Sequence, residues 1–225
     1  MRQTQSKLLI RNSNKIVQNE GIFIHKIISD ATVHEEFSSV NFNTILEFSA
    51  VTLSAQQVFR TNLLANQFAI ILPIIGGVEL LNQEVKFAFI GTDEIGFMAK
   101  IDNLDIFNPF KSETIHIIFL KLENNFRKIP QSNKRKIVFK PEAMASFFYS
   151  KFLNLKLSIG QFNARQESKL LNLKKKNIEL IYNISGAFEV DNKLLETNDA
   201  VLLTDIEDFE FEALTNQSIL LVIEC

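Results

Sequence analysis

The sequence predicts an all-β protein, because its apolar residues fall in short runs or alternate with polar residues along most of the chain. The runs are rich in Ile, Val, Phe and Leu, which favour β-strands. Phenylalanine alternates with glutamate over Phe209–Glu212, as expected of a strand with one face on a core and the other in water. The predicted strands are Ile45–Leu53, Phe68–Ile75, Val85–Ile90, Ile115–Leu122, Leu155–Phe162, Glu179–Ile184, Ala187–Val190, Ala200–Leu203 and Ile219–Ile223.

The middle of the chain divides it into two halves. Residues 127–136 are polar and basic, contain a proline, and show no apolar periodicity. We interpret 127–140 as a basic linker between an N-terminal domain, 1–126, and a C-terminal domain, 141–225. A nuclear-localisation or nucleic-acid patch is the alternative, but a solvated linker explains the same residues with fewer assumptions. After the linker, a proline followed by Glu, Ala and Met predicts a short helix or turn over Pro141–Phe152.

Composition and charge narrow the class of protein. A chain of 225 residues can form one large β domain or two small ones, and 46% hydrophobic with 22% charged residues is typical of globular proteins. A net charge of -2 supplies no cationic field of the kind that drives binding to nucleic acid. The single cysteine, Cys225, excludes an intramolecular disulfide, and no signal peptide or membrane-spanning run is present. We therefore expect a cytoplasmic protein that does not bind membranes.

An internal repeat relates the two halves. Residues 70–80 align with residues 180–190 at a constant offset of 110, and both segments read as an apolar strand followed by Gly-x-apolar-Glu-apolar. A glycine at this point supplies the backbone conformation that a hairpin turn requires. The pattern therefore indicates one hairpin unit used twice, although two unrelated hairpins could share it by coincidence.

The repeat resembles the pirin family of bicupins. The stretches that carry the likeness in the C-terminal half are Gly160–Glu167, Ile184–Val190, Leu194–Glu196, Asn198-Asp199 and Glu212–Leu214. The N-terminal half is similar more weakly, through Leu72–Glu79 and Ile117–Leu122, so that the likeness spans roughly residues 40–225. It implies two cupin-type antiparallel β-barrels, with a metal, where the family has one, only in the N-terminal barrel.

The sequence departs from the family at that metal site. The resemblance implies a His-x-His pair followed by a later His and Glu, but Leu63 and Ala65 stand at the first two positions. No His or Glu occurs between Ile95 and Phe110 at the later ones. Three histidines are scattered over the chain without the spacing of a metal site, at His25, His34 and His116. We therefore predict no metal ligands.

No other catalytic pattern takes the place of the metal. Cys225 has no nucleophile motif around it, and no Gly-x-Ser-x-Gly turn occurs. Gly76-Gly77 lies between two strands and reads as a hairpin rather than as a phosphate loop. The acidic run Asp205–Glu212 could suggest a cation site, but its alternation with phenylalanine favours an exposed strand face. We assign no catalytic residue, and the residues of any cofactor site stay unknown.

Three functional hypotheses follow from the resemblance and from the missing ligands. The first is a non-enzymatic, cofactor-free cupin that binds a small apolar ligand or a protein partner, since only the transcription-associated role implied by the family survives without metal. The alternative is a cupin dioxygenase of the quercetinase type, with iron or another divalent metal. The third is a structural β protein that forms a homodimer through exposed strand edges.

Overall fold

The computed structural model describes residues 5–10, 15–29, 44–81, 88–123, 132–138, 142–151, 153–171, 178–204 and 208–225. Within them every regular element is a β-strand, so the all-β prediction is confirmed. None of these residues belongs to a helix that could cross a membrane. The chain divides into two compact units, which we call the first unit (Lys15–Ile137) and the second unit (Met1–Asn14 with Val138–Cys225).

The strands form four antiparallel sheets, two in each unit. Their bounds in chain order are β1 Gln5–Leu9, β2 Lys15–Asn19, β3 Ile22–Ser29, β4 Ile45–Leu53, β5 Val58–Asn62, β6 Gln67–Ile75, β7 Val78–Leu80, β8 Phe89–Ile90, β9 Glu94–Ala99, β10 Asn103–Phe107, β11 Ile115–Glu123, β12 Asn133–Lys136, β13 Ala145–Ser150, β14 Leu155–Phe162, β15 Glu167–Leu171, β16 Ile178–Ser185, β17 Phe188–Val190, β18 Lys193–Leu195, β19 Ala200–Thr204, β20 Asp208–Ala213 and β21 Ser218–Glu224. The first unit has a large sheet, β12-β9-β6-β11-β4-β3-β2, and a small one, β5-β10-β7-β8. The second unit has β1-β19-β16-β21-β14-β13 and β15-β20-β17-β18.

The repeat seen in the sequence extends to the topology. The central order β9-β6-β11-β4-β3 of the first unit becomes β19-β16-β21-β14-β13 in the second, and the small sheets correspond in the same way. Two equivalent glycine turns, with φ of +72° at Gly76 and +83° at Gly186, lead from β6 to β7 and from β16 to β17. The predicted hairpin is wrong in both halves, because each turn carries the chain from the large sheet to the small sheet and the two strands do not pair with each other. A side chain at Gly186 would also collide with Ser218 and Thr215. Glycine is required there because L-residues rarely adopt this conformation.

Each unit encloses an apolar core between its large and small sheets. Strand side chains alternate between two faces, so every second residue of these strands points into the unit. On β20 the alternation follows the prediction, with Phe209 and Phe211 buried and Asp208 and Glu210 exposed. The core of the second unit consists of Phe162, Ile181, Phe188, Val190, Leu195, Val201, Leu203, Phe209, Phe211, Ala213, Leu220 and Val222.

The division of the chain differs from the predicted domains 1–126 and 141–225 in two places. Strand β1, near the N-terminus, pairs with β19 and so belongs to the second unit. Strand β12 lies within the predicted linker 127–140 but pairs with β9 of the first unit. The two strands take equivalent edge positions, next to β19 and β9. In the first unit the edge strand β12 comes from the last residues of the unit. In the second unit the equivalent strand β1 comes from a segment that precedes the first unit in the sequence.

The basic residues of β12 are engaged within the first unit. Lys134 Nζ lies 2.9 Å from the Glu94 carboxylate, and the Arg135 guanidinium sits 5.5 Å from the ring centre of Phe97. The hydrogen bond from the Gly91 amide and the ammonium of Lys134 lower the pKa of Glu94, which keeps this pair charged at neutral pH. The linker residues 127–131 and 139–140 lie outside the described residues.

Of the short helix or turn predicted over Pro141–Phe152, the helix is wrong for the described residues 142–151, which begin with a turn at Glu142. Residues 145–150 form β13, which pairs with β14. The prediction followed the helix propensity of the residues before Ser146, whereas the aromatic residues after it favour a strand that has a partner to pair with. The interior of the predicted strand Val85–Ile90 lies outside the described residues, and only Phe89–Ile90 is seen as β8.

Strand β1 allows a direct test of its place in the fold. Leu9 is 3% exposed, whereas its neighbour Leu8 is 36% exposed. We expect Leu9→Ala to lower the free energy of unfolding by about 2 kcal/mol or more, and Leu8→Ala by less than about 0.5 kcal/mol. Urea denaturation of both variants measures the difference. Equal small losses would mean that β1 contributes no buried contact to the fold.

Candidate functional site in the first unit

The family resemblance implies that a metal site, where one exists, lies in the interior of the first unit. Inward-facing apolar residues of β4, β6 and β11 meet those of β5, β7 and β10 across it. Ser49 is also buried on this face of β4, where it pairs with Phe119 and donates a hydrogen bond to Glu47 at 2.8 Å. Phe59 and Phe119 pack edge to face at its centre, with 5.2 Å between the ring centres. The buried residues are Val51, Leu53, Phe59, Leu63, Ala69, Ile71, Val78, Leu80, Ile90, Met98, Ile101, Leu104, Ile106, Ile115, Ile117 and Phe119.

Leu63 and Ala65, at which the family resemblance would place a His-x-His pair, lie on the loop between β5 and β6. The Leu63 amide donates a hydrogen bond to the Asp102 carbonyl oxygen at 3.1 Å. The Leu63 side chain is 3% exposed and packs within the apolar interior, whereas Ala65 is exposed. The Gln67 side chain fixes the loop by accepting a hydrogen bond from the Leu64 amide at 3.0 Å. Position 63 is therefore part of the core and position 65 part of the surface.

The segment expected to carry the later ligands is equally apolar on its inner face. Met98, Ile101, Leu104 and Ile106 all point into the interior between β9 and β10. The carboxylate of Asp105 faces outward and pairs with Arg60 at 3.5 Å. In the part of the chain that the structure describes, no group of three His, Cys, Asp or Glu residues is arranged to hold a metal. These residues do not fit a divalent metal, which takes imidazole and carboxylate ligands.

The described histidines lie away from this interior. His25 is buried on β3, but it follows Ile24, which packs against the interior, so its side chain is on the opposite face of the strand. His116 is exposed on β11 between two interior isoleucines, and its Nδ1 lies 2.8 Å from Thr52 Oγ1. Partial burial lowers the pKa of His116, which favours the neutral ring at pH 7. His34 lies outside the described residues.

The second unit carries an acidic depression of about 560 Å³ on the outer face of its small sheet. Glu212 on β20 lies beside Glu167 on β15 and beside Glu189 on β17 in the strand register. Lys193 Nζ lies 3.3 Å from the Asp191 carboxylate at the rim. The alternation of β20 predicts this exposed face, but the glutamates of β15 and β17 could be placed there only once the register was known. The depression is polar, and therefore unsuited to an apolar ligand.

Cys225 is half-buried after the end of β21. Burial, together with the negative charge of Glu224, raises the pKa of its thiol to about 12. The thiolate is the reactive form of cysteine, so this residue is a poor nucleophile at neutral pH.

Comparison with solved structures identifies the fold. No protein-family model matches the sequence, and no curated protein sequence does. The structure of the cupin 2 conserved barrel domain protein from Leptotrichia buccalis matches with a TM-score of 0.56 at 12% identity, over 96% of this chain and 95% of that one. The fold is therefore that of the cupin class of β proteins.

Within that class the fold is pirin-like. The pirin YhhW of Escherichia coli, solved in complex with nickel(II), matches with a TM-score of 0.79 at 12% identity, over 98% of both chains. The quercetin 2,3-dioxygenase of Acinetobacter baumannii matches with a TM-score of 0.70 at 12% identity, over 97% of this chain and 85% of that one. The expected resemblance to pirins is confirmed for the fold.

Replacing Leu63 with histidine tests whether this position is packed. We expect Leu63→His to lower the free energy of unfolding by about 2–5 kcal/mol, because it loses apolar contacts and buries a ring with no partner. Ala65→His, at the exposed control position, should change it by less than about 0.5 kcal/mol. Thermal denaturation and urea titration measure the free energy of unfolding of both variants. If Leu63→His is as stable as the parent and its ring titrates normally, position 63 faces an open pocket.

The Cys225 thiol should react slowly in the folded protein. With its pKa near 12, roughly a thousandfold less thiolate is present at pH 8 than for an ordinary cysteine, so iodoacetamide labelling should slow accordingly. Unfolding in urea should restore the ordinary rate, and mass spectrometry follows the labelling. An Ala65→Cys, Cys225→Ser variant supplies an exposed thiol as the control. Equal rates for the two folded proteins would contradict the burial of Cys225.

Proposed function

We propose that this chain is a metal-free pirin-like protein with two cupin barrels, and that it acts as a non-enzymatic protein-interaction module. The observation that carries the proposal is Leu63. It stands at the first position of the expected metal site, and its side chain is packed into the core instead of facing a cavity. A site of this composition offers a metal no nitrogen or oxygen ligand.

The arrangement of each unit supports the barrel assignment. A large and a small antiparallel sheet face one another across a single apolar cluster in both units. Cupins of known structure share this fold over nearly the full length of the chain. We infer that each pair of sheets corresponds to one cupin barrel, and that the repeated strand-glycine turn-strand segment belongs to a unit used twice.

A protein partner fits the described surface better than a small apolar ligand. Ligand pockets for apolar molecules are concave and lined mainly by hydrophobic side chains. Here the apolar interiors are filled by their own side chains, and the depression in the second unit is lined by carboxylates. We therefore place the activity of the protein at its surface. With a single cysteine in the sequence, we propose that it acts in a reducing compartment such as the cytoplasm.

The competing function is a metal-dependent dioxygenase, because one structural neighbour is named a quercetin 2,3-dioxygenase. A dioxygenase would need metal ligands from residues other than Leu63 and Ala65. It also needs a cavity in the interior of the first unit, which the packing of Phe59 against Phe119 opposes.

Metal content separates the two functions. The full-length chain is produced without a histidine tag in medium supplemented with iron and nickel, purified without chelator, and measured by inductively coupled plasma mass spectrometry. The E. coli pirin YhhW, prepared in parallel, is the control, because its structure contains nickel(II). We expect trace transition metal in this chain and stoichiometric metal in the control. Stoichiometric metal in this chain would overturn the proposal and lead directly to a flavonol oxygenation assay.

A further inference from the structure

The outer face of the small sheet in the first unit carries one carboxylate between two aromatic residues. In the strand register Glu79 on β7 lies beside Phe89 on β8 and, on its other side, beside Phe107 on β10. Val58 on β5 continues this row next to Phe107. Each of these four residues is adjacent in the sequence to a residue of the apolar interior, so all four side chains point away from that interior. The row therefore lies on the outside of the unit.

The Phe89 ring is held in place by the backbone beneath it. A Cβ atom at Gly77 would collide with the Phe89 ring, so the ring lies directly against the Gly77 backbone. Phe89 is nevertheless 42% exposed, and Leu81, which follows β7, is 49% exposed. A ring that packs on the backbone and still faces solvent loses little conformational freedom when a partner contacts it.

The carboxylate of Glu79 makes no hydrogen bond or ion pair with the residues that the structure describes. Arg60, on the outer face of β5, pairs with Asp105 at 3.5 Å instead. Glu79 is itself half-buried in the row. A charge-assisted hydrogen bond is stronger where water is partly excluded, so this carboxylate can hold a cation better than a fully exposed one.

The equivalent row of the second unit has a different composition. The duplicated topology places Glu189 at the position of Glu79, and in the register it lies between Leu194 and Glu212 instead of two phenylalanines. Ala187 takes the place of Gly77 in the repeat. One glutamate is thus common to both rows, whereas the aromatic pair belongs to the first unit.

We propose that Glu79, Phe89 and Phe107 bind the side chain of an arginine that a protein partner presents. A cation is attracted to the face of an aromatic ring, and a guanidinium also pairs with a carboxylate. Arginine fits better than lysine because its planar group stacks on aromatic rings. The strands that carry the two rings are two strand spacings, about 10 Å, apart, which leaves room for one side chain above Glu79. Arginine recognition rests on the proposed interaction role and gives the partner its chemistry.

A short peptide tests the arginine site. Acetyl-Leu-Arg-Leu-amide, whose leucines can contact Leu81 and Val58, is titrated into the isotope-labelled full-length chain at about 0.15 M salt, and NMR follows the backbone amide shifts. We expect saturable shifts at residues 78–80 and 89–90, with a dissociation constant of about 1 mM. The same peptide with citrulline in place of arginine keeps the shape without the charge. It should bind at least about fivefold more weakly.

Three variants separate the arginine site from other acidic surfaces. Glu79→Gln should weaken binding of the arginine peptide at least about fivefold, because it removes the charge. Phe89→Leu should weaken it about threefold, because it removes the ring and keeps an apolar side chain. Glu189→Gln, the matched control at the equivalent glutamate of the second unit, should leave the dissociation constant unchanged. Urea denaturation checks that each variant folds.

The titration can also contradict the arginine site. Shifts confined to the acidic depression of the second unit, or equal effects of Glu79→Gln and Glu189→Gln, would overturn it. Equal binding of the arginine and citrulline peptides, or the absence of saturable shifts, would do the same. The metal content of the chain is measured without peptide, so the proposed function is tested separately from its arginine site.

Discussion

The whole structure depends on keeping one face of every core strand against hydrocarbon. In each unit the inner faces of the two sheets pack into an apolar cluster. The opposite face of the large sheets is buried as well, at residues such as Leu72 and Tyr182. Because side chains alternate along a strand, a slip of one residue would move Val51 and Leu53 of β4 out of this cluster together. The match between these faces and their surroundings therefore favours one register of the sheets.

The strands at the centre of each large sheet could be predicted from the sequence alone. The bounds of β4 and β14 agree with the predicted ones. Those of β6 and β11 differ by one residue at one end, and those of β16 and β21 by one residue at both ends. These strands are long and strongly apolar, so local pattern and final burial agree. Strands β5 and β10 were missed because they are short and because charged residues such as Arg60 and Asp105 occupy their outer positions.

The remaining elements depend on partners that are distant in the sequence. Among the side chains of β1 that the structure describes, only Leu9 is buried, and the partner strand β19 is separated from β1 by the whole first unit. Strand β13 reads locally as a helix start and becomes extended only because β14 is available to pair with it. Of the candidate site, the sequence predicts that the expected ligands are missing, and this stays a prediction. It could not show that Leu63 is buried while Ala65 is exposed, because that depends on the path of one loop.

Because β1 belongs to the second unit, its pairing with β19 imposes an order of folding during synthesis. The first unit is complete when Ile137 has left the ribosome, and it can fold while the rest of the chain is still being made. Residues 5–9 are translated before the first unit and can pair only after Ala200–Thr204, which are translated after it. During that interval Leu9 has no partner strand to bury it. The large sheet of the second unit therefore closes last, by a strand pair that spans the first unit in sequence.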